Sequence, residues 1–367
     1  MAEIDTLLGI MTERGSSDLH VKVGNSPAIR LNGKLVILRD LPVLTAPETH
    51  ALAVGMMNDA QREAFENSCE ADFAYSVSGV GRFRVNAFHQ RGSVGLTLRR
   101  VATERSTVAE LGLPPVITQL ADETRGLVLV TGTAGSGKTT TLAAMIDHIN
   151  STREGHIVTI EDPIEVLHRD KKCIINQREI GIDTESYEDA LRHVVRQDPD
   201  VILIGEMRDH ETVAAALTAA EIGNLVLSTL HTIDATETIA RIIDFFPPYQ
   251  QKQIRLTLAA TLKGIVSLRL IPSMQGGLVP AVEVLVMTGS IREYIIDPDK
   301  TYLIRDAIES GQYDGMVTFD QSLLRLYQDR RITLDDAMAM AHNAHDFKIK
   351  VRHLGISPAV AAESGVY

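Results

Sequence analysis

The run Gly132-Thr133-Ala134-Gly135-Ser136-Gly137-Lys138-Thr139 constrains this 367-residue chain more than any other feature. It fits G-x-x-x-x-G-K-[ST], follows the apolar stretch 127–130 and opens a helical run. Glycines let the backbone curl until successive N–H groups face one anion. The helix behind them turns its positive end to the same point. In this reading Lys138 reaches the outer phosphates of a nucleoside triphosphate and the Thr139 hydroxyl ligates Mg²⁺. The alternation around the loop fits it. Runs rich in β-branched residues at 126–131, 157–160, 201–204 and, more weakly, 225–228 are separated by helical stretches at 139–150, 187–196 and 210–222. That pattern predicts a parallel sheet with helices on both faces.

In such sheets ligands sit beyond the carboxyl ends of the strands. Two acidic groups lie near strands. Asp200 and Glu206 bracket the apolar run 201–204, and Glu161, Asp162 and Glu165 follow 157–160, with Pro163 re-aiming the chain. One carboxylate there would orient an attacking water while another holds Mg²⁺.

At roughly 150 residues per domain, the length suggests two to three domains. Apolar residues at 44% and charged residues at 23% supply a real core and exclude disorder as the main state. Residues 1–105 read as a small α+β domain. Ile4, Leu7, Leu8 and Met11 mark an amphipathic helix, and Asn32-Gly33 marks a tight hairpin. Residues 47–66 read as helical, and 71–77, 81–88 and 95–101 as further strands of a mostly antiparallel sheet. In Arg82-Phe83-Arg84-Val85, strand alternation puts the two arginines on one face. Residues 102–106 read as a hinge, Thr107-x-x-Glu110 as a capping box, and 106–367 as the second domain, with its core at about 112–270 and a largely helical pattern after about 250. Thr318-x-x-Gln321 is another capping box, and 333–343 another helix.

The formal charge of −12 argues against nucleic acid as a partner, and no apolar run approaches the ~18 residues that span a bilayer. Two cysteines, Cys69 and Cys173, are too few for a disulfide scaffold or a zinc ribbon, so a reduced, cytoplasmic setting is expected, with membrane contact only through a partner.

Four segments stand in order: GTAGSGKTTTLAAMIDHIN, TIEDPIEVLH, DPDVILIGEMRD and LSTLHT. Together they resemble the secretion ATPase superfamily and, more narrowly, the PilT family of type IV pilus retraction motors. Residues 15–20, 82–86 and 172–179 match further family segments. The resemblance implies a PAS-like N-terminal α+β domain and a RecA-like P-loop ATPase domain with C-terminal helices. It also implies a homohexamer that uses ATP and Mg²⁺, seated at the cytoplasmic face of the inner membrane on a pilus platform protein, in company with paralogous pilus ATPases. Carried over by position, the phosphate cradle is Thr133, Ala134, Gly135, Ser136, Gly137, Lys138, Thr139 and Thr140. Glu165 is the expected catalytic carboxylate. Glu206 is expected near Mg²⁺ or its water, with Asp200 as a further metal position. His231 senses the γ-phosphate or links neighbouring elements, and Arg82, Arg84 and Arg99 meet the triphosphate.

The sequence departs from the family at Gly223-Asn224, where Gly-His is usual, at Thr133-Ala134, and at Ser290 in the run 289–295 associated with retraction, whose helix Ser290 would cap. Three rivals stand beside this reading, one of them a non-motor nucleotide-binding switch, against which the two acidic motifs argue. Assembly or secretion ATPases of the same superfamily usually carry a four-cysteine zinc motif, which two cysteines cannot build. A RecA-like nucleic-acid translocase needs basic loops, which are absent.

Overall fold

The computed structural model describes residues 3–31, 34–101 and 106–353, and divides into two compact units. The Asn32-Gly33 turn and most of the 102–106 hinge fall outside the described residues.

The first unit spans the chain to residue 104 and also takes in residues 165–167. Helix α1 (Ile4–Glu13) precedes β1 (Asp18–Val21), β2 (Ala28–Leu31) and β3 (Lys34–Ile37). Helices α2 (Ala46–Val54) and α3 (Asp59–Ser68) follow, then β4 (Glu70–Val77), β5 (Gly81–Gln90) and β6 (Ser93–Arg100). The continuous helix expected over 47–66 is therefore two, because Asn58 caps a new start by accepting from Gln61 N–H at 2.8 Å. The strands form a six-stranded antiparallel sheet in the order β3-β2-β1-β6-β5-β4. One face carries Leu19, Phe83, Val85, Leu96 and Leu98 against Leu7, Leu8 and Met11 of α1.

In the second unit the Thr107–Glu110 pair forms the hydrogen bonds of a capping box, with Thr107 N–H to Glu110 at 2.8 Å, but it opens a run of turns and no helix. Then come α4 (Val116–Ala121), β7 (Gly126–Thr131), α5 (Lys138–Thr152), β8 (Gly155–Glu161) and β9 (Cys173–Glu179). These lead to α6 (Tyr187–Val194), β10 (Val201–Ile204), α7 (His210–Ile222), β11 (Leu225–Leu230), α8 (Ala235–Asp244) and α9 (Pro248–Thr261). Contrary to the helical expectation beyond 250, β12 (Leu262–Pro272) and β13 (Leu278–Val286) then form a long antiparallel hairpin. Helices α10 (Gly289–Ile296), α11 (Ile304–Ser310), α12 (Phe319–Gln328), α13 (Leu334–Met340) and α14 (Ala344–His353) close the described chain. Thr288 caps α10, accepting from Ile291 N–H at 3.3 Å, and Ser290 lies inside the helix.

The sheet order is β13-β12-β7-β11-β10-β8-β9, parallel except for β13. Alternate residues of one strand enter different cores. Leu127 and Leu129 pack with α6, α7 and α8, whereas Val128 and Val130 pack with α4 and α5. Burial on both faces explains the unbroken apolar runs in the sequence. A separate cluster seats Phe319, Leu323 and Tyr327 of α12 and Phe347 of α14 on Ile271, Val279 and Ala281 of the hairpin.

Candidate nucleotide site

Register fixes which residues share an edge. Thr131, at the end of β7, lies level with Leu230 of β11 and Ser267 of β12. Ile204 of β10 lies level with Ser228 and Ile160. The carboxyl ends of β7, β11, β10 and β8 lead to the phosphate loop, His231 and Glu206 and, as the last residue of β8, to Glu161. Side chains lock the rim: the Thr131 and Ser267 hydroxyls are 2.8 Å apart, and Thr229 donates to Gly205 O at 2.7 Å.

The loop takes left-handed backbone at Gly135 (φ +75°) and Gly137 (φ +98°). At Gly132 (φ +141°) a Cβ would stand 2.5 Å from Ser136 Oγ and 2.6 Å from Leu268 O, so only glycine fits. Thr133, Ala134, Gly135 and Thr140 are exposed, Gly137 and Thr139 half-buried, and Ser136 and Lys138 buried. The Lys138 ammonium donates to Gly132 O at 2.8 Å and Thr133 O at 2.9 Å, and lies 3.4 Å from His231 Nδ1. His231 Nε2 is 3.3 Å from Glu206 Oε1, and Arg208 Nε is 3.0 Å from Glu206 Oε2. Arg208 also lies 3.8 Å from Asp162, and its bond to Glu206 raises its pKa further. The result is a continuous polar chain: Lys138, His231, Glu206, Arg208, Asp162. Glu161 is 8% exposed and accepts from Thr159 Oγ1 at 2.6 Å. Tyr187 on α6 also borders this edge. A Cβ on Gly205 would stand 2.9 Å from its hydroxyl, and burial, aided by Asp162, pushes the phenol well up.

Arg208 and Tyr187 were not singled out by sequence reading, whereas Glu161 was, within the acidic group after 157–160. Arg208 was the more findable, standing two residues past Glu206 in GEMRD.

Asp200 is not brought to this edge. It precedes β10, at the opposite end of a four-residue strand about 13 Å long at ~3.3 Å per residue. There its carboxylate accepts from His156 N–H at 2.8 Å, a structural duty remote from the phosphate loop. Asn224, in place of the family's histidine, lies at the same far end and donates to Pro199 O.

Glu165 groups with the first unit, where its carboxylate is 3.6 Å from Arg84. Phe83 and Val85 are buried and Arg84 is exposed, as alternation requires. Arg84 pairs in register with Arg99, and Arg99 with Asp18. Arg99 Nε is 2.8 Å from Asp18, and Arg82 donates to Ser76 Oγ at 3.3 Å.

Among the described residues no group of three or more His, Cys, Asp or Glu side chains forms a metal cage. Mg²⁺ takes one or two protein oxygens and completes its shell with water and substrate phosphates. The hard oxygens of Thr139 and Glu206 fit such a role.

A phosphate loop at the carboxyl edge of a parallel sheet, with acidic groups on neighbouring strand ends, defines a P-loop nucleotide-binding protein. The family described as Type II/IV secretion system protein matches residues 4–291. The type IV pilus retraction ATPase PilT of Pseudomonas aeruginosa is 45% identical over 345 residues, covering 94% of this chain and all of that protein. The type IV pilus ATPase PilU of the same organism is 42% identical over 351 residues, covering 95% and 91%. A crystal structure of the pilus retraction motor PilT with bound ADP superposes with a TM-score of 0.88 at 45% identity, covering 95% of this chain and 100% of that one. The chain belongs to the Type II/IV secretion system protein family, on its PilT branch of pilus retraction ATPases. Its second unit has the RecA-like α/β architecture of that family and its first the PAS-like α+β one.

Proposed function

We propose that this chain is a motor ATPase that couples ATP hydrolysis to type IV pilus retraction. The observation that carries the reading is the match to PilT over that protein's entire length, together with the Lys138–His231–Glu206 constellation at the sheet edge. The backbone N–H groups of 133–140 and the Lys138 ammonium take the phosphates. Thr139, and Glu206 directly or through water, are the residues to hold Mg²⁺, which when bound neutralises phosphate charge. His231 sits between Lys138 and Glu206, able to report on the γ-phosphate. Glu165 serves as the carboxylate that orients water. Arg82, Arg84 and Arg99, from an adjoining copy in a six-membered ring, stabilise charge in the transition state, a contribution worth on the order of 10³–10⁵ in rate. The domain division at about residue 105, seating on an inner-membrane platform protein at the cytoplasmic face, and company with paralogous ATPases complete the reading.

Deleting the gene tests it. Hyperpiliated cells that do not twitch are expected; bald cells would point to assembly instead. In vitro, Glu165→Gln should slow phosphate release strongly while nucleotide binding persists, and normal turnover in that variant would remove Glu165 from the mechanism.

A further inference from the structure

One carboxylate outside the phosphate loop, in register with Ser267, is buried where α8 begins. Glu283 on β13 is 6% exposed. Its Oε1 accepts from the N–H of Ala235, the first residue of α8, at 3.0 Å. It borders a polar cavity of about 40 Å³. Phe319, the first residue of α12, lines the cavity beside it. The charged and titratable groups facing that cavity are Asp234 before α8, Arg269 on β12, Arg305 on α11, Asp320 on α12 and His342 after α13. The surround is tied together. Arg269 lies 3.8 Å over the Phe319 ring and donates to Met340 O at 2.6 Å. Arg305 pairs with Asp320 at 3.2 Å, and Asp320 accepts from His342 N–H at 2.9 Å.

Helix α8 in turn grips the loop that carries His231. The Thr232 and Thr238 hydroxyls are 2.7 Å apart, and Ile233 N–H donates to Glu237 at 2.9 Å. Asp234 caps the helix by accepting from Glu237 N–H at 2.8 Å. Moving the first turn of α8 therefore moves the backbone that holds the imidazole.

We propose that Glu283 is a positioning residue for ATP turnover: by gripping the first N–H of α8, it fixes loop 231–234 and so holds His231 between Lys138 and Glu206. The inference rests on the ATPase reading above. An ionised carboxylate makes a stronger, charge-assisted bond to this N–H and is favoured by the dipole of α8. A glutamine presents a neutral amide oxygen, a weaker acceptor than a carboxylate, so E283Q loosens the grip on α8. Burial, with Asp234 adding to it and Arg269 opposing it, pushes the Glu283 carboxyl up to about 7, so the full grip belongs to the upper side of neutrality.

The test is steady-state ATPase activity of the full chain carrying E283Q, H231A or both. Expected is a roughly tenfold fall in kcat for E283Q with KM for ATP nearly unchanged, and no further fall when E283Q is added to H231A. A purely structural role gives additive losses, which would overturn the inference, as would a KM effect with kcat intact. If E283Q does not fold by circular dichroism, Asp234→Asn carries the test. Asparagine keeps the cap and removes a negative charge facing Glu283, so the acid-side fall of kcat should move to lower pH; an unmoved limb refutes the inference. An inactive unmodified chain would overturn the ATPase reading and this inference with it. An active one with additive variants would overturn the inference alone.

Discussion

At the residue scale the site is a set of short-range commitments, and single atoms decide outcomes. Removing the Lys138 ammonium by Lys138→Ala deletes the charge set against the phosphates, and loss of ATP turnover, read by phosphate release, is expected. Gly132→Ala forces a Cβ into Ser136 Oγ and Leu268 O at a left-handed φ. It should cost about 1–3 kcal/mol, visible as a lowered melting temperature, and should also weaken nucleotide binding. Arg208→Ala leaves Glu206 with only its His231 contact of these two, and a fall in kcat of roughly tenfold, about 1.4 kcal/mol, is expected in the same assay. The lysine, the loop glycines and Glu206 were readable because the motif specifies them by spacing. Asp200 misled because an acid beside an apolar run was counted without asking which end of the strand it occupies. It precedes β10, and parallel pairing sends that end away from the loop.

At the scale of elements, what was legible followed burial. Strands β7, β8, β10 and β11 are buried on both faces and stood out as unbroken apolar runs. The β12–β13 hairpin was lost in the helical reading after 250. Leu262, Ile265 and Val266 recur at a spacing a helix also uses, and two-sided burial erases the alternation that would have betrayed a strand. Strand β9 escaped for the opposite reason. It is an edge with Ile174 and Asn176 exposed, and polar residues mask it. Its seat depends on Asn150 at the end of α5, which donates to Arg169 O at 2.8 Å and accepts from the N–H groups of Lys171 at 3.0 Å and Cys173 at 3.2 Å. Asn150 is fully buried, so Asn150→Ala should cost about 1–3 kcal/mol, measured as a lower urea midpoint.

At the scale of the whole molecule, Glu283 ties conformational stability to pH. Its folded-state pKa of about 7 lies above the ordinary value of 4.5. Across that window the folded chain keeps a proton that the unfolded chain has released, so stability falls as pH rises. Urea unfolding at the two ends of the window should show this decline, and E283Q should flatten it. Depressed carboxylates such as Asp18 act with the opposite sign, adding stability that is lost in acid, and they cancel when the two proteins are compared. The Lys138 side chain has a last consequence. Its protons are spent on two carbonyl oxygens of its own loop and on an imidazole. An incoming anion must outbid these partners, so the loop sets an admission threshold: a lone inorganic phosphate repays too little, whereas a polyphosphate tail, touching many amides at once, repays the exchange.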